Sequence, residues 1–137
     1  MKKYVLDACA VVALFKKEPG ADIVENLLVK AMGGHCSVFI HRMNLLEVYY
    51  GYLRDDGKLV ADRHLAAIEG SCIKIVESVS RELMLKAGEQ KAKHRMSLGD
   101  SIAVAQAITE HAIIVTSDHH ELDSVDKSGD AQFLWIR

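Results

Sequence analysis

Lys3-Tyr4-Val5-Leu6-Asp7 opens the chain with a short run of β-branched and aromatic residues that stops on a carboxylate. A basic Met1-Lys2-Lys3 start could begin a secretory leader, but Asp7 breaks the apolar stretch too early, so the segment reads as a first strand. Four more runs of the same character follow at residues 36–40, 73–77, 112–116 and 132–136. Between them the spacing turns helical. Val24, Leu27, Leu28 and Ala31 recur at i, i+3, i+4 and i+7, and so do Leu45, Val48, Tyr49 and Tyr52. Further helices are predicted over about 80–94 and 99–111, and the only proline, in Glu18-Pro19-Gly20, stops a first short helix and starts the next. Asp55-Asp56-Gly57 reads as a turn between helices, and the acidic stretch 118–130 as a loop. This alternation predicts an α/β fold with a mainly parallel central sheet of about five strands and helices on both faces. The first four strands are apolar at nearly every position, as strands covered on both sides should be.

The chain has 137 residues, which predicts a single domain over 1–137. Half the residues are hydrophobic, enough for a real core, and no apolar run approaches the roughly 18 residues that span a bilayer. Cys9, Cys36 and Cys72 are odd in number and lack a CxxC pair, which argues against a disulfide framework or a thiolate zinc site and for a reducing, cytoplasmic setting. Seventeen basic against 19 acidic residues exclude a general nucleic-acid coat, so a polyanion would have to be held by a local patch or through metal.

In an open parallel sheet, ligands bind beyond the carboxyl ends of the strands where strand order reverses. Asp7 ends the first strand, and Asp118 follows the fourth in Val115-Thr116-Ser117-Asp118. Glu47 lies in the first turns of the helix after the second strand, turned away from the centre of its apolar stripe and sharing a side with Gly51. Asp100 opens the helix leading to the fourth strand, where the helix dipole favours a carboxylate. Any one of these acids is, taken alone, an ordinary cap, turn or solvated residue. Gathered together, two unit charges about 4 Å apart repel by about 1 kcal/mol in water and more in a drier cleft. Either some are protonated at neutral pH or a divalent cation joins them. Oxygen-only ligands suit Mg²⁺ or Mn²⁺, whose chemistry serves phosphodiester hydrolysis.

Four segments together resemble the PIN-domain family, in particular its VapC-type toxins. They are Tyr4-Val5-Leu6-Asp7-Ala8-Cys9-Ala10, Asn44-Leu45-Leu46-Glu47-Val48, Ser97-Leu98-Gly99-Asp100-Ser101-Ile102-Ala103-Val104-Ala105, and Ile114-Val115-Thr116-Ser117-Asp118-His119-His120-Glu121-Leu122. The resemblance implies a three-layer α/β/α fold and an endoribonuclease whose Asp7, Glu47, Asp100 and Asp118 bind Mg²⁺ or Mn²⁺. It also implies an RNA substrate, a cognate antitoxin that wraps the toxin and blocks its site, and a homodimer. Thr116 matches a hydroxyl that often supports the fourth acid. Cys9 stands where many members carry serine, which leaves that role open, and Glu121 or Asp123 is a candidate further acid.

Other residues admit more than one reading. Lys86, Lys91, Lys93, His94 and Arg95 form a basic run, with Lys91, Lys93 and Arg95 as candidate RNA contacts; a solvated helix end is the plainer account. His119-His120 lacks the further nitrogen or sulfur ligands of a zinc site and reads as a surface loop. Tyr49 and Tyr52 lie on the helix stripe and read as packing residues, Tyr50 could stack on a base, and Trp135 reads as core. Two alternatives stand beside a toxin nuclease. One is an RNA-processing nuclease of the same type without an antitoxin. The other is a phospho-receiver, which would want an acceptor Asp ending the third strand and a Lys after the fifth. Here the third ends in Val76-Glu77 and the fifth runs out at Arg137.

Overall fold

The computed structural model describes residues 1–137. The chain runs β1 (Lys2–Leu6), α1 (Ala8–Lys16), α2 (Ala21–Met32), β2 (Cys36–His41), α3 (Arg42–Asp56), α4 (Lys58–Glu69), β3 (Lys74–Val76), α5 (Arg81–Lys93), α6 (Leu98–Thr109), β4 (Ile113–Thr116), α7 (His119–Ser128) and β5 (Gln132–Trp135). The strands form one sheet in the order β3-β2-β1-β4-β5, and every pairing is parallel. None of the helices is long and apolar enough to cross a membrane.

Alternation along each strand sorts its side chains between two cores. Leu6, Val38, Ile40 and Val115 point to one face, where Ala10, Val11 and Ala13 of α1, Val24 and Leu27 of α2, Leu45 and Val48 of α3 and Ile68 of α4 cover them. Val5 and Ile114 point to the other, against Ala103, Val104 and Ala107 of α6 and Leu122 and Val125 of α7. Each fully buried Leu, Ile or Val contributes about 1.5–3 kcal/mol by leaving water, so the three layers are held mainly by this burial. Residues 101–107 of α6 are all buried. Its small side chains let it lie against the sheet while Ile102 and Ala105 meet Leu83 and Ala87 of α5.

The break between α1 and α2 has a physical basis beyond Pro19. Gly20 has φ +98° and sits against the Ile136 backbone, where a Cβ would overlap the carbonyl, so the turn closes on the end of the last strand. Three expectations need correction. The acidic stretch after Asp118 is the helix α7, not a loop, because Leu122 and Val125 give it a buried edge; His119 and His120 therefore stand in its first turn. Trp135 is only partly buried at the sheet edge, stacked on His119 and Phe133, with Nε1 donating to Asp126 at 2.9 Å. The third strand spans only three residues and, at the sheet edge, leaves Ile75 and Val76 half-buried.

Candidate active site at the switch point of the sheet

From β1 the chain moves outward to β2 and β3, then crosses back to lay β4 on the other side of β1. The order reverses between β1 and β4, so a crevice opens beyond their carboxyl ends. Asp7 and Asp118 follow these two strands, and both serve as helix N-caps. Asp7 Oδ1 accepts the Ala10 N–H at 2.9 Å, and Asp118 Oδ1 accepts the Glu121 N–H at 3.1 Å. The fully buried Thr116 joins them: its hydroxyl donates to Asp7 Oδ2 and accepts the Asp118 N–H at 3.0 Å. The residues that cap the two helices thus also meet at the head of this crevice.

The other two acids come from α6 and α3. Asp100 is the third residue of α6, its N–H held by the Ser97 cap at 3.1 Å, and it is 8% exposed. Glu47 lies in the second turn of α3, where it lines a cleft of about 170 Å³ together with Gly51. Its carboxylate reaches Gly99: a Cβ built there would overlap Glu47 Oε1. Asn44, one turn earlier, donates Nδ2 to the Gly99 carbonyl at 2.9 Å. Gly99 is therefore clasped by α3 from two sides, which sets Glu47 beside Asp100.

The charges of these groups interact. Burial raises the Asp7 carboxyl to about 7; hydrogen bonds from Thr116 and Ala10 oppose the rise, and Asp100 and Asp118 add to it. Burial raises Asp100 to about 6, against the Ser97 hydrogen bond and with help from Asp118, Glu47 and Glu121. Glu47 is exposed as a residue, but burial at its carboxylate end, followed by the charge of Asp118, pushes it upward too. Cys9, in the first turn of α1, is pushed up to about 12 by burial and then by Asp7, Asp118, Asp100 and Glu47. It is a neutral thiol beside all four acids, not a thiolate. The four carboxylates thus share one field. As they stand, no three His, Cys, Asp or Glu side chains are arranged to hold a metal ion, and both Asp7 oxygens are engaged in hydrogen bonds.

The basic run divides. Lys93 pairs with Asp130 at 2.7 Å, Lys86 with Glu89 at 3.2 Å, and Lys91 donates to the Met96 carbonyl at 2.8 Å. His119 is occupied by Asp123 and the Arg137 carbonyl, each at 2.8 Å. Glu121 stands near enough to act on Asp100, whereas Asp123 turns to His119. Gly99 and Asn44 stand within the quoted motifs, and the sequence alone assigns neither of them a part in placing the acids. A glycine at the second position of a helix, where it costs propensity, was the available signal.

Fold and site together describe a parallel α/β protein with carboxylates gathered at the switch point of its sheet. The family model of the PIN domain matches residues 4–128, and the chain belongs to the PIN domain family, a family of nucleases. Solved structures share its fold. A DNA-bound VapBC from Salmonella typhimurium superposes with TM-score 0.74 at 17% identity over 100% of both chains. VapBC2 from Rickettsia felis, bound to a DNA fragment from its promoter, gives 0.73 at 19% over 96% of this chain and 97% of that one. Mycobacterium tuberculosis VapC20, a sarcin–ricin loop cleaving toxin, gives 0.63 at 16% over 88% and 94%. No curated protein matches the chain by sequence.

Proposed function

We propose that residues 1–137 form a single metal-dependent endoribonuclease domain that cuts RNA phosphodiester bonds, and that it is the toxin of a VapBC-type pair in the cytoplasm. The observation that carries this reading is the shared field of Asp7, Glu47, Asp100 and Asp118 at the switch point of a PIN domain. Their donor set is all carboxylate oxygen, which fits a hard divalent cation that keeps several waters and needs few protein ligands. Mutual repulsion gives these groups a reason to accept one, because a cation relieves what burial and like charge raise. Asp7, Asp100 and Asp118 would hold Mg²⁺ or Mn²⁺, with small rotations of the freer Asp118 and Glu47 side chains closing the shell. Bound there, the ion would supply a water more acidic than bulk water and positive charge to balance the phosphate.

The chain's own groups do the rest. Thr116 fixes the orientation of Asp7, and Ser97 fixes the backbone of Asp100. Glu47, the least tied of the four, orients the attacking water or a second ion. Cys9, held as a neutral thiol, adds no charge to the site. An antitoxin partner is supported by the VapBC neighbours. An apolar groove of about 260 Å³ on α3 and α4, lined by Met43, Leu45, Leu46, Tyr49 and Leu65, also favours a protein partner, the antitoxin or a second copy in a homodimer.

The test is cleavage of an RNA pool by wild type, Asp7→Asn and Asp100→Asn, with circular dichroism on each. Asn keeps the cap of α1 and can pair with Thr116, so both variants should fold and neither should cut. A folded variant with full activity refutes the assignment. The toxin pairing is tested by looking for a small open reading frame beside this gene and expressing the chain with and without it. Growth arrest relieved by that frame is expected, and the lack of such a frame or its failure to relieve arrest counts against a VapBC pair.

A further inference from the structure

A second cleft, of about 620 Å³, opens against the acid edge between the α5–α6 connection and the start of α7. Lys91, Arg95 and Ser97 line one wall, and His120 and Glu121 the other. The cleft adjoins the acids: Ser97 in its lining caps the Asp100 N–H, and Glu121, also in its lining, donates its N–H to Asp118. Glu121 is the only acid in its lining and acts on Asp100, so it sits at the end nearest the cluster.

The cations around this cleft are not equivalent. Lys93 is fixed on Asp130, which also accepts from Gln90 at 3.1 Å, so its charge is spent tying α5 to the turn before β5. Lys91 gives one N–H to the Met96 carbonyl, a neutral acceptor; two N–H groups and the whole charge remain. Arg95 is exposed, and its side chain forms no ion pair or hydrogen bond. A fixed ammonium and a free guanidinium therefore border a polar cleft that ends at the proposed cutting centre. In a chain of net charge −2, polyanion affinity in the absence of metal must come from such a local patch.

We infer that this cleft seats a backbone phosphate of single-stranded RNA adjacent to the bond being cut, with Arg95 gripping it through two parallel N–H bonds and Lys91 supplying fixed charge beside it. The inference rests on the nuclease reading and deepens it. A guanidinium fork matches phosphate geometry, and the neighbouring acids keep the strand from sliding further in unless metal is bound.

The experiment is fluorescence anisotropy of a labelled single-stranded RNA of about 12 nucleotides in EDTA, across a salt series. Wild type, R95Q, K91Q and K93Q are compared, and gels check that the probe stays intact. Each phosphate contact to a single strand contributes about 0.7 to the slope of log affinity against log salt, or about five-fold at about 0.1 M salt relative to 1 M. R95Q and K91Q should each flatten the slope by about that amount and weaken binding about five-fold, while K93Q matches wild type. R95Q indistinguishable from K93Q, or wild type that fails to bind at low salt, overturns the cleft. Cleavage with Mg²⁺ separates this failure from failure of the enzyme reading. A chain that cuts RNA but is indifferent to R95Q loses only the cleft; one that binds through Arg95 and never cuts keeps the cleft and loses the nuclease.

Discussion

Gly99→Ala asks whether the contact between α3 and α6 positions an acid. A methyl at this position overlaps Glu47 Oε1, the far end of a flexible side chain, so the fold survives by swinging the carboxylate aside. Leaving a preferred rotamer costs about 0.5–1.5 kcal/mol. Replacing glycine within a helix returns up to about 1 kcal/mol, less in the first turn. The net change in stability is therefore near zero, within about 1 kcal/mol. Activity responds differently. A displacement of about 1 Å in a positioned group costs about a hundred-fold, equivalent to about 2.7 kcal/mol in the barrier. The assay is kcat/KM on a labelled RNA with Mn²⁺, paired with thermal melting of the same samples. The double variant G99A/E47D shortens the acid, relieves the overlap and should recover part of the lost rate. A Gly99→Ala protein that melts and cleaves like wild type refutes the role given to Glu47 and its setting.

Asp7 and Asp100 bind a proton more tightly in the folded chain than at the ordinary 3.8, so folding takes up protons. The stability associated with those protons is complete below about pH 4 and is lost as pH rises through about 6 to 7. Melting of metal-free Asp7→Asn against wild type should show the variant gaining on wild type from pH 5 to pH 8; a constant gap contradicts the burial argument. Mn²⁺ must displace those protons, so it should raise the melting temperature of wild type more at pH 8 than at pH 5.5; a flat titration at both argues against the site. Thr116→Val leaves Asp7 Oδ2 and the Asp118 N–H without a partner, for a loss of about 1–3 kcal/mol. A fall of about 3–10 °C in Tm follows, and Thr116→Ser, which keeps the hydroxyl, should stay close to wild type in both melting and cleavage.

Much of the architecture was readable because strands buried on two faces are written as unbroken apolar runs. Tyr4-Val5-Leu6 and Ile113-Ile114-Val115 could hardly be anything else. Asp7 and Asp118 were legible for the same reason, since each stands directly behind such a run. Both do cap helices, as the plainer reading expects, and they also share Thr116 at the head of the crevice. The helix α7 was hidden because acids and histidines outnumber its two buried residues, Leu122 and Val125, and tertiary packing outweighed composition. The Gly99 clasp was invisible for a different reason. It is a meeting of α3 with α6, and periodicity within either helix carries no information about which turn faces which. The freedom of Arg95 and the commitment of Lys93 were equally out of reach, because Asp130 arrives from the far end of the chain.

The bond between Thr116 and Asp7 spans 109 positions. On the ribosome, β1 and its aspartate emerge first and must wait for β4, the last strand but one, before the crevice has a second wall. A growing or truncated chain that stops short of residue 113 lacks β4, Thr116 and Asp118 together. On the reading proposed above, such a partial product would carry Asp7 but no assembled cutting centre.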